Sequence, residues 1–125
     1  MEIPENLMYT ETHEWMKQLR DGRVAIGITQ YAADSLGEMV YLTLPELEQG
    51  LLAGEAFAEI ESASAQCEVI SPVDGIVSEI NEVLLDEPEL INDMPYDSWL
   101  VKVDEVTDGV DLMTAEEYEE YLKTL

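Results

Sequence analysis

The amino-acid sequence predicts a mainly β fold of two antiparallel layers, with short helices between strands and one amphipathic helix near the end of the chain. Short runs in which apolar and polar residues alternate recur along most of its length. Glycine, proline and aspartate separate these runs. Only "TAEEYEEYLKTL" sustains a helical period with a matching start signal.

Taken in order, "RVAIGIT" sets Val24, Ile26 and Ile28 against Ala25, Gly27 and Thr29, and "MVYLTL" sets Val40, Leu42 and Leu44 against Tyr41 and Thr43. Each predicts a strand with one buried face. Between them "TQYAADSLG" offers Thr29 as an N-cap and Gly37 as a terminator, which predicts a brief helix. Downstream, Ala56, Ala58 and Ile60 alternate with acids, and Ile76, Ser78 and Ile80 repeat the rhythm after the turn "SPVDG". The two halves, "AGEAFAEIES" and "VDGIVSEINE", form a faint duplication around Ser64. "LLDEPELINDMPYD" reads as an ordered surface loop with a helical turn, and "WLVKV" as a strand through Trp99, Val101 and Val103. In the last segment Thr114 and Glu117 have capping-box spacing, and Tyr118, Tyr121 and Leu122 make one apolar stripe.

A chain of 125 residues that is 46% hydrophobic fits one domain with an ordinary core. Its 29 acidic and 5 basic residues give a formal charge of -24. That charge repels nucleic acid and anionic membrane surfaces, so neither is an expected partner; on its own it reads first as a solvated, self-repelling surface and second as steering toward basic partners. The single cysteine, Cys67, excludes an internal disulfide, and no secretory signal is visible, so the expected compartment is the cytoplasm. No run approaches the ~18 apolar residues of a membrane span.

The ordered motifs "YTETHEW", "VAIGITQYAADSLGEMVYLTLPE", "AGEAFAEIES", "SPVDGIVSEINEVLLDEPELIN", "PYDSWLVKV" and "TAEEYEEYL" resemble those of the glycine cleavage system H protein family, from about Ile3 to Leu122. The resemblance implies a barrel-sandwich hybrid, the fold of lipoyl and biotinyl carrier domains, as one domain over residues 1–125. The hairpin tip falls at about 61–65 and the C-terminal helix at about 114–123. It implies a non-catalytic shuttle that visits three enzymes: the pyridoxal-phosphate glycine decarboxylase, the folate-dependent aminomethyltransferase and the dihydrolipoyl dehydrogenase. In the family the tip reads glutamate, serine, an apolar residue, lysine, alanine, and the lysine carries lipoate in amide linkage. Here the lysine position is Ser64.

That departure is chemical as well as positional. A lysine supplies an amine on a four-carbon stem, whereas a serine hydroxyl sits one carbon from the backbone. No lipoate is therefore expected on this chain. Lys17, Lys102 and Lys123 do not replace the missing amine, because none falls at a tight hairpin tip. By resemblance Glu14 of "HEW" lines the cleft that shelters the loaded arm. Ser35 takes the place of a histidine that some members carry, and Glu68 matches an acid four positions past the carrier lysine. The loop from "PY" to "W" is one residue shorter than the family form. Read without the family, Glu14 and Glu68 are solvated carboxylates, His13 a packed or capping imidazole and Cys67 a small core residue.

An enzyme is not expected. With 29 carboxylates some pairs fall close together by chance, so acid pairs carry little information about general acid–base catalysis. No phosphate loop, His/Cys metal cluster or nucleophile elbow appears, and Asp86 to Asp97 lacks EF-hand spacing. Three accounts remain. The chain is an H-like paralogue that has lost its arm and binds or regulates partners, an authentic H protein whose lysine was replaced by design, or a module with an unrelated ligand on the same scaffold. Ala63, Gln66 and Cys67 lie in a setting that departs from the family's usual pattern, which favours the first.

Overall fold

A computed structural model describes residues 1–125. Nine strands and four short helices build a two-sheet sandwich. In the first sheet β1 (Met8–Tyr9), β2 (Glu14–Gln18) and β3 (Val24–Ile28) are followed across the sheet by β9 (Val101–Asp104), β8 (Gly75–Ile80) and β5 (Gly50–Leu51). The second sheet has the order β4 (Met39–Thr43), β6 (Ala56–Ser62), β7 (Gln66–Ile70). All pairings are antiparallel, and neither sheet closes on itself, so the sandwich has open edges rather than a closed barrel.

The main core gathers apolar side chains from both sheets, including Ile26, Leu42, Ile60, Val69, Val77 and Val103. A second cluster lies on the opposite face of the first sheet, where Tyr9, Trp15 and Ala25 are covered by Ala115 and Tyr118 of α4 (Ala115–Leu122). Being covered on both sides, β3 is buried throughout, whereas its alternation alone predicts one exposed face. Gly27 belongs to this arrangement, because a Cβ there would come within 2.5 Å of the Trp15 ring. Trp15 is fixed by its indole N–H donating to the Pro95 carbonyl at 3.1 Å.

Three strands bury different residues from those their alternation suggests, and a shift of register accounts for each. In β4 the pairing with β6 slips between Met39 and Tyr41. Met39 takes the inward place, and Val40 turns out to solvent at 53% exposure. A second irregularity between Ala56 and Ala58 buries Phe57 and Ala58 together and leaves Ala56 exposed. A third between Val77 and Glu79 makes Val77, not Ile76, the fully buried residue of β8.

The helices are short. Thr29 caps α1 (Gln30–Leu36) by accepting from the Ala32 amide, and Gly37 ends it at φ 89°. The acidic segment after β8 folds into two single turns, α2 (Val83–Asp86) and α3 (Leu90–Asp93), anchored by buried Leu84 and Ile91. At α4 the Thr114 hydroxyl accepts from the Glu117 amide while the Glu117 carboxylate accepts from the Thr114 amide.

Candidate functional site

The hairpin joining β6 to β7 is closed by a serine that is itself hidden. Ser62 is buried, its amide donates to the Ala65 carbonyl at 2.8 Å, and its Oγ accepts from the Ala65 amide at 3.0 Å and the Ser64 amide at 3.3 Å. Such a local serine turn satisfies backbone groups that the strand ladder cannot reach. The tip is tied sideways as well, by the Ala63 amide donating to the Glu38 carbonyl at 3.2 Å. Ser64 stands exposed at the apex, and its hydroxyl makes no hydrogen bond to the protein. The backbone here is thus held firmly, while the apical side chain is free.

From the tip, β7 leads to a cleft of about 500 Å³ whose lining includes Thr10, Glu11, Thr12, Glu14, Ile70 and Asp111. Glu14 lies at the start of β2 and is only 2% exposed. Its Oε1 accepts from the Thr10 hydroxyl at 2.7 Å and from the Thr12 hydroxyl, and its Oε2 accepts from the Ile70 amide at 3.2 Å. One carboxyl therefore joins the first sheet to the second. Burial pushes its pKa up, and the hydroxyls and the Ile70 amide oppose part of that rise. The lining carries Glu11, Glu14 and Asp111 but none of the five basic residues. Chemically, the cleft suits a cationic or hydrogen-bond-donating group.

Of the residues that the resemblance groups together, only Glu14 lines this cleft. Glu68 stands opposite Glu59 in the β6–β7 ladder, and cross-strand partners share a face, so both carboxylates point to the outer surface of the second sheet. Ser35 is exposed on α1, and Ser64 stays at the apex. Cys67 pairs with Ile60 on the inner side, and its thiol pKa is raised by burial first and then by the charges of Glu14 and Glu68, so it is a poor nucleophile. His13 is packed elsewhere, 2.9 Å from the Tyr118 hydroxyl and against the Tyr31 ring, and burial lowers its pKa. No three His, Cys, Asp or Glu side chains converge as a metal site would. Thr10, Thr12 and Ser62 join the candidate site without having been expected from the sequence. A turn brings Thr10, Thr12 and Glu14 together, with the His13 amide donating to the Thr10 carbonyl at 3.1 Å and His13 at φ 73°, so the spacing of "TETHE" alone does not reveal the cluster.

Residues 7–125 match the family model described as glycine cleavage H-protein. The chain belongs to the glycine cleavage H-protein family. A glycine cleavage system H protein of Lachnoclostridium phytofermentans is 45% identical over 98% of this chain and 97% of its own length. One from Vibrio vulnificus is 44% identical, covering 98% of each. The crystal structure of a glycine cleavage system H protein from Mycobacterium marinum superimposes with a TM-score of 0.91 at 36% identity, over 98% of this chain and all of that one. The family is one of carriers, not catalysts, and it works with the decarboxylase, aminomethyltransferase and dehydrogenase components of glycine cleavage. No helix here is long and apolar enough to cross a membrane.

Proposed function

We propose that this H-family protein acts without a lipoyl arm, docking on enzymes of glycine cleavage in the cytoplasm and competing there with a lipoylated carrier. The observation that carries this reading is Ser64 at the free apex of the hairpin, the position to which the resemblance assigns the family's lysine. Ser64 and Ile70 are six positions apart, about 20 Å along an extended strand, and a serine side chain cannot span that distance to the cleft. The other lysines sit on β2 (Lys17), on β9 (Lys102) and just beyond α4 (Lys123). None is at a hairpin apex. The clamp around Ser62 and the buried Glu14 persist without the arm, which favours a protein that keeps its carrier shape for recognition. The departure of the setting around Gln66 and Cys67 from the tip pattern that the resemblance implies favours this reading over a carrier altered by design at one position.

The test is modification. Incubated with a lipoyl ligase, lipoate and ATP, the protein should show no mass gain in intact mass spectrometry; a stoichiometric lipoyl adduct on any residue would overturn the reading. The variant Ser64→Lys should accept lipoate, because the clamped backbone that presents the side chain is already in place.

A further inference from the structure

Every basic residue of the chain falls outside positions 24–101: Lys17, Arg20 and Arg23 precede that stretch, and Lys102 and Lys123 follow it. The whole tip-bearing sheet lies inside it. On the outer face of that sheet the register sets Tyr41 beside Glu61 and Gln66, and Thr43 beside Glu59 and Glu68. Glu59, Glu61 and Glu68 take no part in a salt bridge, and Glu59 receives only the Gln66 amide at 3.0 Å. At the sheet's edge the bulge in β4 turns Val40 outward at 53% exposure next to Tyr41 at 57%. Met39 pairs with Ser62, so these two side chains lie beside the hairpin tip.

We infer that this face is a docking surface for a protein that presents lysine and arginine side chains around an apolar pocket, with Val40 and Tyr41 as the anchors and Glu59 and Glu61 as the steering charges. This rests on the docking role proposed above and adds which face of the molecule performs it. A bulge on an edge strand re-aims side chains, and an exposed tyrosine beside a valine is the kind of anchor that carries binding energy once desolvated. Unpaired carboxylates of one sign around it speed encounter with a basic face and repel an acidic one. That same repulsion disfavours a second copy of this chain as the occupant.

Calorimetry of the full-length protein against the purified decarboxylase, aminomethyltransferase and dehydrogenase tests this. Val40→Ser combined with Tyr41→Ser should weaken binding to the recognised enzyme at least ~10-fold, the loss expected of a central anchor. Glu59→Lys with Glu61→Lys should weaken it as much and slow association. Lys17→Glu with Arg20→Glu, on β2 and the turn that follows it, should change the affinity by less than ~3-fold, as distant surface sites do. All six positions are exposed, and unchanged thermal melting of each variant will show that the fold is intact. Wild-type binding that both tip-sheet variants leave unaltered would overturn the surface assignment but not the docking role. The absence of wild-type binding to any of the three enzymes would overturn both. A dimer in sedimentation that disappears in the Val40 and Tyr41 variant would also overturn the assignment, by showing that a second copy occupies the face.

Discussion

Glu14 joins the two sheets through one carboxyl, and its protonation should be visible in the stability of the fold. An acid whose native pKa stands above its unfolded value holds more protons folded than unfolded between the two values. Its contribution is therefore greatest below the unfolded value, near ~4.3 for glutamate, and is lost as pH rises through the native pKa. Burial raises the Glu14 pKa, so the wild type should lose stability relative to Glu14→Gln as pH increases from about 4, levelling off once the native carboxyl is ionised. Urea melts of both proteins between pH 4 and pH 8 read this difference directly; a difference that stays flat or grows with pH would show that the hydroxyls of Thr10 and Thr12 outweigh the burial. At this scale the sequence was partly legible. Ser64 could be placed from the tip motif alone, because it sits in a short turn where position follows from counting. The burial of Glu14 could not, because it depends on Ile70 arriving from the other sheet, 56 residues away along the chain.

At the scale of elements, the strands were legible wherever alternation runs unbroken and obscure wherever the register slips. Val40 was expected inside and is outside, since one extra residue at the β4 bulge reverses the face of what precedes it. The two threonine caps lay open in the sequence, because capping is local chemistry between residues three apart. The acidic loop, expected to hold one helical turn, holds two, each with one buried apolar anchor, Leu84 or Ile91. Packing across β2 and β3 gives a sharp prediction. Gly27→Ala places a methyl within 2.5 Å of Trp15, which is buried at 2% exposure and hydrogen-bonded to Pro95, so it cannot move aside cheaply. The variant should be destabilised by at least about 2 kcal/mol in chemical denaturation, within the range for overpacked cores. A cost below about 0.5 kcal/mol, the size of an ordinary surface change, would mean that the Trp15 ring has room to shift.

Over the whole molecule the governing feature is segregated charge. The formal charge is -24, yet four of the five cations, Lys17, Arg20, Arg23 and Lys102, fall on or between neighbouring strands of the first sheet. Arg23 is held there by Asp21 at 2.8 Å and Glu79 at 2.5 Å, and Lys102 lies over the Trp99 ring at 4.5 Å. The second sheet and the tip it carries are left with one sign. A protein built this way encounters basic surfaces quickly in dilute buffer, and the attraction fades as the screening length falls to ~8 Å near physiological salt. The most direct measurement of the central claim is glycine–bicarbonate exchange by the decarboxylase with an authentic lipoylated H protein, to which this protein is added in excess at low and at physiological salt. This protein alone should support no exchange, and it should inhibit the lipoylated carrier to a degree that weakens as salt rises. Exchange supported by this protein in place of the carrier, or an unchanged rate at every salt concentration with a large excess present, would contradict that claim.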